Sequence, residues 1–190
     1  MERQMDWLFS IVRVAGASFP VASSLVQLQA EIDSKTLLQR VTKLEDPISH
    51  LHDDVPELSR QIYQELKRKN STKLYFDDEF NKKFSRALAV LESQGYIKGG
   101  HALIKNYVAG IRLVDPSYIM YLCALEEEDE KMESLLRLVD ACKVGQWLDG
   151  NTIEIDLPLP VIKAVFDIYE SKGFGICSKE RGSCKYMGKA

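Results

Sequence analysis

A chain of 190 residues with 45% apolar and 28% charged side chains has an ordinary globular composition, long enough for one large domain or two small ones. Its net charge of −3 argues against a general nucleic-acid coat protein, and four cysteines (Cys123, Cys142, Cys177 and Cys184) do not make a dense disulfide framework. The apolar start lacks a basic n-region and a small-residue cleavage site, so a reducing cytoplasm with free thiols is the expected compartment. Charge is segregated along the chain: residues 57–115 carry a net +4, and residues 116–145 a net −4.

From Trp7 to Ala30 there is no acid and a single base, Arg13. Gly16 and Pro20 are expected to divide this stretch into two short helices. A membrane-spanning helix needs roughly 20 predominantly apolar residues, and Arg13, Pro20 and four serines interrupt this one. Burial in protein is therefore expected over burial in lipid, with Trp7, Leu8, Phe9, Ile11, Val12 and Phe19 as candidate partner-binding residues. A membrane-active N-terminus joined to a sensing domain is a lower-ranked reading. A further helix is capped by Ser34, carries Leu37, Leu38, Val41 and Leu44 on one stripe, and closes at Pro47. Residues 1–53 read together as an apolar helical N-terminal segment.

At Asp54 the pattern changes. Asp54 is placed to cap a helix with Pro56 and Glu57 in its first turn, and Leu58, Ile62, Tyr63 and Leu66 recur at helical spacing. Thr72–Phe76 alternates as a short strand does. Asp77 and Asp78 open a helical region reaching Gln94, with Phe80, Phe84, Leu88 and Leu91 inward; spacing alone leaves one helix or two, joined at Lys83–Ser85. Gly95 suits the left-handed closure of a helix. Tyr96-Ile97 then leaves as a strand, Gly99-Gly100 signals a turn, and Gly110–Val114 returns.

The stretch Arg86–Tyr96 aligns without gaps to Ala164–Phe174, 78 residues on, sharing a Glu-Ser-(Gln/Lys)-Gly-(Tyr/Phe) ending. The same offset sets the strand at Leu74 opposite Asn151–Ile153, and the helix Leu58–Leu66 roughly opposite Leu135–Val144. A repeated supersecondary unit accounts for all of this. Both stretches resemble the recognition helix and wing entry of the winged-helix superfamily, whose last helix commonly ends as Leu91-Glu92-Ser93-Gln94-Gly95-Tyr96-Ile97 does here. The expected fold is mainly α with small β-hairpins (α+β). Its expected plan is the N-terminal segment, one winged-helix-like unit over 54–115, an acidic helical connector over 116–134, and a second unit over 135–190. The second copy departs from the pattern, because Leu157-Pro-Leu-Pro160 leaves little room for a helix before its reading helix. Pro160 itself suits a first turn.

No enzyme signal is present. His50-x-His52 with Asp53 and Asp54 lacks the further ligands a zinc site needs, and Cys177 and Cys184, which could sit opposite one another across a hairpin, lack two more. No glycine-rich phosphate loop follows a strand. Neither a cofactor nor a metal is expected. The winged-helix resemblance implies that Lys82, Lys83 and Arg86 face outward from the reading helix, with Lys98 and Lys105 in or beside the wing. The equivalents in the second copy are Lys163 and Lys172, with Lys179, Arg181 and Lys185 at the hairpin. Lysines there would contact phosphates, and Arg86 is the best placed to pair with a base edge. The expected partner is double-stranded DNA. The alternative is a protein partner: the tandem winged-helix subunits of SMC-type ATPase complexes resemble this plan, work through protein contacts and often dimerise.

Overall fold

The computed structural model describes residues 48–100, 110–180 and 182–189. The expectations for residues 1–47, including Trp7, Leu8, Phe9, Ile11, Val12 and Phe19, lie outside the described residues, as do those for Lys105 and Arg181. The described chain is mixed α and β. Helix α1 (Val55–Lys69) is followed by β1 (Lys73–Tyr75), α2 (Asp78–Lys83), α3 (Ser85–Ser93), β2 (Ile97–Gly100) and β3 (Gly110–Leu113). Then come α4 (Pro116–Leu125), α5 (Asp129–Asp140), β4 (Leu148–Asp149), a 3-10 turn (Gly150–Thr152), α6 (Leu159–Ser171), β5 (Gly175–Cys177) and β6 (Lys185–Gly188). Two three-stranded antiparallel sheets result, ordered β1-β3-β2 and β4-β6-β5.

The first half follows its sequence cues closely except at Gly99-Gly100, which continue β2 opposite Ile111 and Gly110 instead of turning. Pro56 lies in the first turn of α1, but Asp54, although at the N-cap, makes no side-chain capping bond. The chain enters α1 with Asp54 already in a helical conformation, which turns its carboxylate away from the first-turn N–H groups. Asp77 does cap, accepting the backbone N–H of Phe80 at 2.8 Å. The region from Asp78 to Ser93 is two helices, joined at Phe84, whose ring is fully buried.

The second half departs in its upstream register. Its strand falls at Leu148–Asp149, three residues before the expected Asn151–Ile153, which hold a 3-10 turn and an extended exit. Its first helix is Asp129–Asp140, so the expected span to Val144 overshoots. The offset between copies is 78 residues at Gly95 and Gly173 but only 74 at Leu74 and Leu148. The difference is about one helical turn, and it lies ahead of α6: Leu159 stands eleven positions after Leu148, whereas Asn81, its equivalent at the 78-residue offset, stands seven after Leu74. The connection ending in Leu157-Pro158 is thus the longer one, and α6, with Pro160 in its first turn, spans the equivalents of the end of α2 and all of α3.

The segment 116–134, expected as an acidic connector, holds α4 and the start of α5. Asp115 caps α4 by accepting from the N–H groups of Ser117 (2.6 Å) and Tyr118 (3.3 Å). All seven residues from Tyr118 to Ala124 are buried. A helix apolar on every side must be enclosed on every side, and α4 packs against α1 on one side and α6 on the other. The two halves therefore share one continuous core. Polar atoms that enter this core are matched: Tyr118 Oη and Ser59 Oγ lie 2.9 Å apart, and Tyr121 Oη and Ser49 Oγ 2.6 Å. Ser59 is the one buried polar residue among those described. Asn70 ends α1 in the left-handed conformation, and its Oδ1 accepts the Leu159 N–H at 2.7 Å, tying α1 to the start of α6.

The acids that follow α4 hold the halves together electrostatically. Glu128 accepts from Tyr63 Oη (3.2 Å) and Lys67 Nζ (3.2 Å) on α1, and pairs with Lys131 Nζ (2.6 Å) on α5. Lys131 also reaches Asp156 at 3.2 Å. Burial alone would raise the Glu128 carboxyl; bonds from Lys131 and Lys67 outweigh it and hold the group below the ordinary range. Asp156 is lowered chiefly by its bond from Lys131.

Two outcomes test this account. Tyr118→Phe leaves the Ser59 hydroxyl buried without its partner and is expected to destabilise by about 1–2 kcal/mol in urea unfolding. Glu128→Gln is expected to cost about 1 kcal/mol at neutral pH, since both lysines are partly solvated. A carboxylate lowered in the folded state stabilises fully above its unfolded pKa of about 4.3 and loses that contribution as pH falls through the depressed value. Below roughly pH 4.5 the unfolding midpoints of parent and Glu128→Gln are therefore expected to converge.

Candidate nucleic-acid interface

The shared sequence motif builds the same local structure twice. In the first copy Gln94, Gly95 and Tyr96 donate their N–H groups to Val90, Glu92 and Leu91 carbonyls at 3.1, 2.9 and 3.0 Å. In the second, Lys172, Gly173 and Phe174 donate to Ile168, Glu170 and Tyr169 at 3.1, 2.9 and 3.1 Å. Gly95 and Gly173 both have φ of +80, where a side chain is strained. Ser93 Oγ bonds the Val90 carbonyl at 2.8 Å, and Ser171 Oγ the Ile168 carbonyl at 2.7 Å.

The invariant glutamate of the motif has a physical role. Glu92 Oε1 accepts the N–H of Gly99 at 2.8 Å, and Glu170 Oε1 that of Cys177 at 3.0 Å, each seven residues ahead. The carboxylate pins the departing strand to the last turn of the helix, fixing the angle at which the hairpin leaves. Glu170 is held below the ordinary carboxylate range by the Cys177 N–H and by Lys179.

The side chains around this frame differ between copies. On α3 the exposed positions are Ser85, Arg86, Ala89, Glu92 and Ser93, with Lys82 just before them on α2. Small side chains thus flank two cations, and neither Lys82 nor Arg86 is in an ion pair among the described residues. Lys83 is otherwise engaged: its Nζ bonds Glu57 at 2.6 Å and lies 4.7 Å from the centre of the Phe84 ring. Lys98 is exposed on β2.

In the second copy the helix equivalent to α3, α6, has Val161, Ile162, Ala164, Val165 and Phe166 buried. Its cation Lys163 pairs with Asp167 at 2.9 Å. Lys179 pairs with Glu170 at 2.7 Å, and Lys185 lies 3.9 Å from Asp149. Lys172 is the C-cap of α6. The structure thus gathers Lys82, Arg86 and Lys98 around one open helix and strand, and turns the described second-copy cations onto acids of their own unit or its helix end.

The cysteines and histidines singled out in the sequence are placed as follows. Cys177 stands opposite Tyr186 across the hairpin and not opposite Cys184, because Ser178 bonds Lys185 and the chain has turned before Cys184. Cys184 instead packs against Gly150, whose N–H bonds its carbonyl at 2.7 Å. All four cysteines are free thiols, and burial pushes Cys177 and Cys184 up to about 11. His52 Nδ1 accepts the Asp54 N–H at 3.2 Å. Among the described residues no cluster of three or more His, Cys, Asp or Glu side chains forms, and no helix is long and apolar enough to cross a membrane.

Compared with known proteins, the chain matches no family model, no curated protein and no solved structure.

Because the space beside Gly95 and Gly173 is open, any penalty for a side chain there is a backbone penalty. Gly95→Ala and Gly173→Ala are each expected to cost about 1 kcal/mol, read as a lower urea midpoint with an unchanged slope.

Proposed function

We propose that the protein binds duplex DNA through its first half, and that both halves are winged-helix units of which only the first is a reader. The observation that carries this is the contrast between the two copies of one motif. Helix α3 leaves a stripe of small residues with Arg86, and Lys82 just before it on α2, in no ion pair among the described residues, whereas α6 spends its faces on the core and pairs Lys163 with Asp167. The element order and the β1-β3-β2 and β4-β6-β5 strand orders support the winged-helix reading of each half.

In this reading α3 enters the major groove, where Ser85, Ala89 and Ser93 allow close approach. Lys82 and Lys98 contact phosphates, and Arg86 presents its fork to a guanine edge. The second unit is the buttress: through α4 it holds α1, and so the body on which α3 is mounted. No chemistry is assigned to the protein.

A second reading has one observation in its favour. Of the five large apolar side chains that are exposed among the described residues, Leu138, Val144, Trp147 and Phe174 belong to the second half. They fit a face that docks onto a protein partner, as in a subunit of an ATPase assembly. Pull-down from the native host with Trp147→Ser against the parent chain separates the readings, since loss of a stoichiometric partner would favour docking.

For DNA binding, Lys82→Ala/Arg86→Ala is expected to weaken duplex affinity at least about tenfold and to flatten its salt dependence by about two units of log–log slope. Lys83→Ala, which removes a cation already paired with Glu57, is expected to do far less. Fluorescence anisotropy on a pool of random duplexes reads both. Unchanged affinity in the double variant would refute the proposal.

A further inference from the structure

The outer face of the first sheet carries a feature of which the groove-reading proposal uses only Lys98. In the β1-β3-β2 register Lys73 stands opposite Arg112, and Arg112 opposite Lys98. All three are exposed, while their neighbours Leu74, Ile111, Leu113 and Ile97 point into the core. Three cations therefore form one row across three strands, spanning about 10 Å at the usual strand spacing. Like charges directly opposite one another destabilise a sheet. No residue of β1, β2 or β3 is acidic, and none of the three cations is in an ion pair among the described residues.

The fold does not require this arrangement. In the second sheet, Asp149 stands opposite Lys185 and Ile176 opposite Met187, a neutralised pair and an apolar one.

The next row on the same face, about 7 Å along the strands, is Tyr75 opposite Gly110 and Gly110 opposite Gly100. Tyr75 is 61% exposed, the joint largest exposure of any large apolar or aromatic side chain described. Its ring covers the place where Gly110 lacks a side chain: a Cβ there would lie 3.0 Å from Tyr75 Cδ1 and Cε1. The glycines leave the floor beside the ring low.

We infer that this sheet face binds single-stranded nucleic acid, with phosphates along Lys73–Arg112–Lys98 and an unpaired base stacked on Tyr75. Bound phosphates supply the counter-charge that relieves the repulsion within the cation row, and the aromatic ring selects single strands, whose bases are free to stack, over a duplex, whose bases are already stacked on one another. The surface shares Lys98 with the proposed duplex contacts but not Lys82 or Arg86.

The test is anisotropy of the full chain on labelled oligothymidine and oligouridine, beside a duplex of the same length. Tighter binding of either single strand than of the duplex supports the proposal. Tyr75→Ala is expected to weaken single-strand binding about tenfold, and Tyr75→Phe to restore it. Log affinity is expected to fall with log salt at a slope of about −2, dropping to about −0.7 in Lys73→Ser/Arg112→Ser. Lys82→Ala/Arg86→Ala is expected to leave single-strand binding unchanged, so failure of the duplex reading and failure of this one are separable. All positions changed on the sheet are exposed, and thermal unfolding confirms that each variant folds. Absence of single-strand binding at low salt, or unaltered binding in Tyr75→Ala and in Lys73→Ser/Arg112→Ser, would overturn it.

Discussion

The burial of α4 from all sides is the constraint on which the rest of the structure depends. A ten-residue helix whose stretch from Tyr118 to Ala124 is wholly buried has no solvent face, so it needs apolar surface from two directions. Helix α1 supplies one and α6 the other. This requirement makes a single body of two halves that each carry their own small sheet. It also determines what α6 is: a helix that packs on α4 as well as on its own sheet, with Val161, Ile162, Val165 and Phe166 buried, has little surface left to offer anything else.

The two halves close the shared motif with the same backbone but surround it with different side chains. Both use a left-handed glycine to close the helix and a glutamate to bond the strand N–H seven residues ahead. Around that frame the first half retains solvent-facing cations, on α3 and across its sheet. The second half cancels its own against Asp167, Glu170 and Asp149. The segment charges anticipate this contrast: the net +4 of residues 57–115 is spread over open surface, while the acids after α4 are drawn inward, with Glu128 bridging Lys131 and Lys67. In the proposed function, one half meets the ligand and the other holds the first in place.

Much of the first half was legible from residue order. The capping role of Asp77, the strand at Leu74, the closure at Gly95 and the return at Gly110 each rest on local cues, and each element lies within a residue or two of its expected place. The second half was legible only at its motif. A fixed 78-residue offset misplaced the strand at Leu148, because the connection from that strand to α6 is four residues longer than its counterpart and no local signal marks the insertion. Helix α4 was visible as an apolar run, Tyr118–Leu125, yet the acids that follow it gave the whole segment the look of a solvated connector. Lys73 and Arg112 drew no notice, since residues 39 apart become neighbours only through strand pairing.

The sequence by itself determined the local grammar: which residues start and stop helices, where the chain turns, and that one motif occurs twice. These depend on backbone conformation and on hydrogen bonds within a few residues, which short stretches encode fully. Only the tertiary structure decided which cations are open, which are neutralised, and which stand in a row across a sheet. Those outcomes depend on register and on burial between distant segments, and a chain read in one dimension holds no distances between them.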